Sequence, residues 1–344
     1  MTNFTKKLQN LQARRYDIST GKYSLKESFK RGLYGESTTY ALEAMEPIEE
    51  EYTRNTFRAS ERVKAQLENG LREYGIEASF RYQGSVPTDT HIRLHSDIDL
   101  LTIHEGFVTL EPPQKPDSPY KGDPLQELAN LRAKTYRILD TAYPACDVDD
   151  SGGKCISISG GSLNRKIDVI SSNWYNSLIH NVSHNEIDRG VNVFDKNEWR
   201  RIRNFPFRHI FNINLRDSEV GGNEKRMIRL LKSLKADADE NIKISSYDIS
   251  SLVYRMSNGD LFAGASERLR LLQTTDQFFH KVINDQDFRL SLKVANDTRK
   301  IFCEEGASVE ELQKLRIELQ DLISSIQREL SPIYKNLDQS AVVY

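Results

Sequence analysis

Strand-like and helix-like signals are segregated along this chain, and that segregation limits its architecture more than any single residue does. Short alternating or β-branched runs fall at 77–83, 97–104, 154–159 and 165–171. Helical periodicity lies among them at 47–74 and 124–142. Beyond residue 174 the strand signals fade, and from Asn223 onward helical spacing dominates. The expected organisation is an N-terminal segment at 1–40, an α/β (α+β) lobe with a mixed sheet at 41–205 and a helical lobe at 206–344. The long helix before the strands repeats Ile48, Tyr52, Val63, Leu67 and Leu71 at helical spacings. Pro47 suits its first turn and Gly75 its stop. Gly84-Ser85 ends the first strand, 111–123 reads as an exposed loop, and Gly160-Gly161 turns between the last two strands.

Composition excludes several classes. Of 344 residues, 38% are hydrophobic and 28% charged, the balance of a soluble globular protein. No apolar run is long enough to span a membrane, and MTNFTKKLQN lacks the apolar stretch of a signal peptide. A cytoplasmic location without a membrane partner is therefore expected. Cys146, Cys155 and Cys303 have no metal-ligand spacing and are expected to be buried free thiols. The formal charge of −2 is unlike a general nucleic-acid binder, so an anionic ligand should meet a local basic patch.

The chemistry concentrates at Gly84-Ser85 and Asp97-Ile98-Asp99. The two acids stand two residues apart at the start of an apolar strand, so alternation puts both carboxylates on one face. Ile98 and Leu100 then point into a core. Two like charges so close raise each other's pKa unless a cation sits with them. Hard oxygens at this spacing suit Mg²⁺, which takes one or two carboxylates per ion and fills its shell with water and phosphate. Gly84-Ser85 offers close backbone approach, an N–H and a hydroxyl to a phosphate. Asp168, in Lys166-Ile167-Asp168-Val169-Ile170, is the candidate third acid, because a charge inside a β-branched run needs a cation or donors. Asp149 rivals it but lacks the apolar strand context. Three acids around two metals suit an in-line displacement that releases pyrophosphate.

The ordered set is strand, Gly84-Ser85, Thr90 six residues after the glycine, the acid pair beginning thirteen after it, and a later single Asp168. It resembles the nucleotidyltransferase superfamily that includes DNA polymerase β, which implies a palm with a mixed sheet and a long N-terminal spine helix. Further on, Lys225, Arg229 and Lys232 line one side of an amphipathic helix at 223–235, and Ser246-Tyr247 follows Lys232 by fourteen residues. This resembles the oligoadenylate synthetase and cyclic GMP–AMP synthase group. The likeness implies Lys232 and Ser246 on the donor triphosphate and Tyr247 stacked on its base.

Over residues 40–300 the chain is identified as similar to the bacterial CD-NTases. That resemblance implies a template-independent nucleotidyltransferase making a cyclic di- or trinucleotide messenger from ribonucleoside triphosphates, in antiphage signalling. It implies two Mg²⁺ ions (Mn²⁺ as an alternative) on Asp97, Asp99 and Asp168, and a separate effector protein that senses the product. The zinc-ribbon insertion of the animal DNA sensor is missing, so a nucleic-acid activator is not implied. The alternatives are an RNA- or small-molecule-directed enzyme of the same fold and an inactive nucleotide-binding module.

Other features carry less. Gly152-Gly153-Lys154 lacks the Walker A spacing and reads as a turn. His180 and His184 read as surface residues. Arg200, Arg201 and Arg203 with Trp199, Phe205 and Phe207 read as a solvated face with local packing. Ser308 with Glu311 reads as a capping box opening a helix whose seam is Leu312, Leu315, Leu319, Leu322 and Ile326, packed on its own lobe.

Overall fold

The computed structural model describes residues 4–17, 22–23, 34–93 and 96–341. Residues 1–3, 18–21 and 24–33 of the expected N-terminal segment lie outside the described residues. In chain order the principal helices are α1 (Phe4–Arg14), α2 (Glu36–Met45), α3 (Glu50–Glu73), α4 (Pro124–Ala142), α5 (Asn223–Asp237), α6 (Ser246–Tyr254), α7 (Arg270–Asn284) and α8 (Val309–Ala341). Apart from a short antiparallel pair, Tyr16–Asp17 with Lys22–Tyr23, the strands form one sheet: β1 (Ala78–Gln83), β2 (Ile98–Leu110), β3 (Asp147–Asp149), β4 (Ile156–Gly160), β5 (Leu163–Asn176), β6 (Arg189–Asp195) and β7 (Arg200–Asn204). They partition into a sheet unit, residues 50–88 and 95–212, and a helical unit, residues 1–49, 89–94 and 213–344.

In the sheet unit, β2 pairs antiparallel with β1 and parallel with β5. The sheet continues through β4 to β3, both steps antiparallel. β5 is long enough to pair a second time, its far half with β6, which in turn pairs with β7. Strand alternation buries both faces. Ile98, Leu100, Ile167 and Val169 join Val63, Leu67 and Leu71 of α3 and Leu128, Leu131 and Leu139 of α4. Leu101, Ile103, Ile170 and Trp174 pack on the other side with Val191 and Val193. Each such side chain contributes about 1.5–3 kcal/mol by leaving water.

Local chemistry sets the element ends. Asp123 caps α4, its carboxylate accepting from the Leu125 N–H at 2.8 Å. Gly75 takes φ +69 after α3, while the Ile76 N–H returns to the Leu71 carbonyl at 2.9 Å. Pro47 lies ahead of α3 rather than in its first turn, which Glu50 and Glu51 supply with charges suited to the helix dipole. β6 and β7 carry no strand signal because Gly190 and Asn192 interrupt one and three arginines fill the other. The arginine run of β7 is a partly solvated face with local packing, Arg200 and Arg203 being exposed. Arg201 donates to Thr109 Oγ1 at 2.9 Å, and the Arg203 guanidinium lies 4.2 Å from the Tyr175 ring centroid.

In the helical unit, α8 buries Leu312, Leu315, Leu319, Leu322 and Ile326 in the unit's own core. Half of the capping box forms: the Ser308 hydroxyl accepts from the Glu311 N–H, while the Glu311 carboxylate binds the Lys243 N–H and Lys314 instead. The three cysteines are free thiols, but not buried ones: Cys146 and Cys155 are half-buried and Cys303 is exposed. No described helix is long and apolar enough to cross a membrane.

Candidate active site

The site grows from the sheet's register. β1 ends at Gln83, paired with Asp99; Asp99 pairs with Asp168, Asp168 with Ser157, and Ser157 with Asp149. Alternation puts Asp99 and Asp168 on the face opposite α3 and α4, since their neighbours Ile98, Leu100, Ile167 and Val169 fill the core beneath those helices. Adjacent strands lie about 4.8 Å apart, so Asp168 is one step from Asp99 and Asp149 roughly 14 Å away. Asp149 is also exposed and already accepts from the Ser151 N–H at 2.8 Å. Asp97 stands just before β2, not inside it, with its side chain 50% exposed against 15% for Asp168.

Gly84 follows β1 with φ +83, a conformation that disfavours a side chain. A Cβ there would fall 2.2 Å from Asp99 Oδ2, so only glycine lets the turn lie against this carboxylate. The Thr88 hydroxyl donates to the Ser85 carbonyl at 3.2 Å and tightens the turn. The exposed Gly84 and half-buried Ser85 leave this edge open to an approaching anion.

Charge at the acids is unevenly matched. Burial first, then Asp168 and Asp97, push the Asp99 carboxyl up to about 7, and Lys166 opposes them. The Ser157 hydroxyl donates to Asp168 Oδ1 at 2.5 Å. Lys166 Nζ reaches Asp97 Oδ2 at 3.2 Å and Asp168 Oδ2 at 3.1 Å. Among the described residues none donates a hydrogen bond to Asp99. Three hard carboxylates with one left undonated fit a divalent cation. They do not form a finished cage: among the described residues no three acid, histidine or cysteine side chains already converge on a metal-sized point. That suits Mg²⁺, whose shell is completed by water and substrate phosphate. Sequence reading missed Lys166 and Ser157. Lys166 stood in the quoted segment two residues before Asp168, hence on its face; Ser157 needed the register.

The helical-unit candidates are placed differently. α5 is buried nearly all round, so its basic stripe is not a solvated face. Lys232 is 8% exposed and donates to the Thr90 carbonyl at 2.6 Å. Burial, with Arg229 and Lys235 nearby, lowers its ammonium to about 8. Arg229 is spent on the carbonyls of Met45 and Asp89 at 2.8 and 2.6 Å. Ser246 is exposed at the start of α6, whose N-cap is Ser245. Tyr247 donates its hydroxyl to Asn296 Oδ1 at 2.9 Å, and the Arg299 guanidinium lies 5.4 Å from its ring centroid.

Comparison with known proteins identifies the family of the chain. A family model described as the cGAS/DncV-like nucleotidyltransferase C-terminal helical domain matches residues 211–324. The cyclic dinucleotide synthase CdnE of Yersinia aleksiciae is 34% identical over 322 residues, covering 92% of this chain and 84% of that protein. A c-di-GMP synthase of Capnocytophaga granulosa is 30% identical, over 97% of this chain and 98% of that one. The solved structure of a STING-associated CdnE c-di-GMP synthase from Capnocytophaga granulosa superposes with a TM-score of 0.79 at 29% identity, covering 95% and 99% of the two chains. Kinship sustained over nearly the whole length, rather than over one segment, places the chain in the CD-NTase family, the nucleotidyltransferases that make cyclic oligonucleotides.

Proposed function

We propose that the chain makes a cyclic dinucleotide, c-di-GMP, from two GTP molecules in the cytoplasm, as a messenger of antiphage defence read by a separate STING-type effector. The product follows the relatives named as c-di-GMP synthases and the STING-associated one among them. The chemistry rests on one observation, the in-register row that sets Asp99 beside Asp168 beneath the Gly84 turn. Each of two steps joins a ribose hydroxyl to an α-phosphorus and releases pyrophosphate. Two Mg²⁺ ions, held by Asp97, Asp99 and Asp168, would activate the hydroxyl and stabilise the leaving pyrophosphate.

The chain's own residues orient and hold. Gly84 and Ser85 give backbone N–H and hydroxyl donors to the triphosphate. Asp168 serves the attacking hydroxyl more than donor binding, and Ser157 fixes its carboxylate. In the helical unit, Ser246 hydrogen-bonds a phosphate and Tyr247 stacks on the base. Lys232 serves the triphosphate by exchanging the Thr90 carbonyl for a phosphate oxygen, a trade that restores the full charge its burial disfavours.

The test incubates purified protein with GTP alone and with all four ribonucleoside triphosphates, with Mg²⁺ or Mn²⁺, and identifies products by mass spectrometry. A phosphatase-resistant cyclic diguanylate is expected from GTP alone. A different cyclic product would overturn the base assignment. Labelled RNA, or no pyrophosphate release at all, would overturn the synthase reading.

A further inference from the structure

Lys166 and Asp168 are two residues apart on β5, so alternation sends both side chains to one face. The Lys166 ammonium lies 3.2 Å from Asp97 Oδ2 and 3.0 and 3.1 Å from the two oxygens of Asp168. Every acceptor it meets belongs to a proposed metal ligand. Its side chain stays 39% exposed, and nothing else among the described residues anchors its tip. One monovalent cation therefore spans the first and third acids, while the second, Asp99, has no donor.

We propose that Lys166 is a built-in counter-cation of the acid row. It steadies Asp97 and Asp168 in the metal-free enzyme and must leave them as divalent ions arrive. A carboxylate lone pair directed at an ammonium cannot at the same time ligate a metal, so an ion that takes Asp97 Oδ2 or the Asp168 lone pairs facing Lys166 displaces this contact. Lys166 thereby sets the metal concentration at which the enzyme becomes competent. The inference rests on reading Asp97, Asp99 and Asp168 as the ligands.

Lys166→Met keeps the apolar stem and removes the charge; Lys166→Gln keeps a polar tip in case the first variant folds poorly. Mn²⁺ affinity is measured by isothermal titration calorimetry on the nucleotide-free protein, alongside melting in chelator. Both variants should bind Mn²⁺ up to about fivefold more tightly than wild type, the effect of removing one partly exposed opposing charge. Both should melt lower in chelator, and saturating Mn²⁺ should close that gap. Unchanged or weaker Mn²⁺ binding in both, with binding abolished by Asp99→Asn, overturns the counter-cation role alone. Mn²⁺ binding unaffected by Asp99→Asn overturns the ligand reading, and this inference with it.

Discussion

The sheet unit and the helical unit treat their functional candidates in opposite ways. In the sheet unit, Asp99 carries no hydrogen-bond donor among the described residues, and its carboxyl is pushed up to about 7. In the helical unit, Lys232 is spent on Thr90, Arg229 on Met45 and Asp89, and Tyr247 on Asn296. A charge held without partners costs stability and is kept where something external completes it. Groups that are already satisfied hold the fold first and reach a ligand only by exchanging partners. The acids should therefore be sensitive in activity with little cost in stability, and the helical residues should mix the two.

The largest effect should come from the acids. Asp99→Asn and Asp168→Asn should each leave no detectable product while the fold is kept: Asp99→Asn relieves repulsion among the acids, and Asp168→Asn gives up only a partly exposed contact to Lys166. Asp149→Asn should be silent, since its carboxylate lies roughly 14 Å from Asp99. Product assays beside circular dichroism check this. An active Asp168→Asn together with a dead Asp149→Asn would show that register does not choose the ligand.

Gly84→Ala should come next. Its Cβ would press on Asp99 Oδ2 at 2.2 Å, and φ +83 strains any side chain. The left-handed backbone costs about 1–2 kcal/mol, and the displaced carboxylate should remove most activity. Normal turnover with normal melting would mean that the turn need not lie against the acid.

The helical residues then sharpen the contrast. Tyr247→Ala should weaken GTP binding about ten- to a hundredfold if the ring stacks on the base. Tyr247→Phe should keep that affinity but lose about 1 kcal/mol of stability with the Asn296 hydrogen bond. If Tyr247→Ala only lowers the melting temperature and leaves affinity per folded molecule unchanged, the tyrosine is packing alone.

Legibility in the sequence follows the range of the interactions. Asp99 and Asp168 were readable as candidates because a charge inside an apolar strand breaks a local pattern, and Asp97 as the partner of Asp99 in an Asp-x-Asp pair. The preference for Asp168 over Asp149 was readable only as context; the physical reason, one strand step against three, lies in long-range pairing. Ser157 was invisible for the same cause. β6 and β7 were missed because cross-strand pairing and cation–π packing of Arg203 on Tyr175 override weak strand propensity. The stripe of Lys225, Arg229 and Lys232 looked amphipathic, yet α5 is buried nearly all round, and backbone carbonyls from distant residues satisfy Arg229 and Lys232.

The smallest effect on product formation, expected to be none, tests the comparison at its weakest point. Glu224 is fully buried in the helical unit, and neither carboxylate oxygen has a hydrogen-bond partner. Arg216 Nε stands 3.8 Å away, too far for a hydrogen bond. Burial pushes the carboxyl up to about 9, with Arg216 opposing. The folded state thus keeps a proton that the unfolded chain loses above about 4.5. Between those values the folded state binds more protons, so this group's contribution to stability falls as pH rises. Glu224→Gln is neutral at every pH and removes that slope. Its melting temperature should match wild type near pH 5 and exceed it by pH 8, with about 2–4 °C for each kcal/mol relieved. A variant that melts lower at pH 8 would mean that Glu224 is ionised and held by Arg216. Glu224 would then join Lys232 and Arg229 as a buried charge held by its own unit.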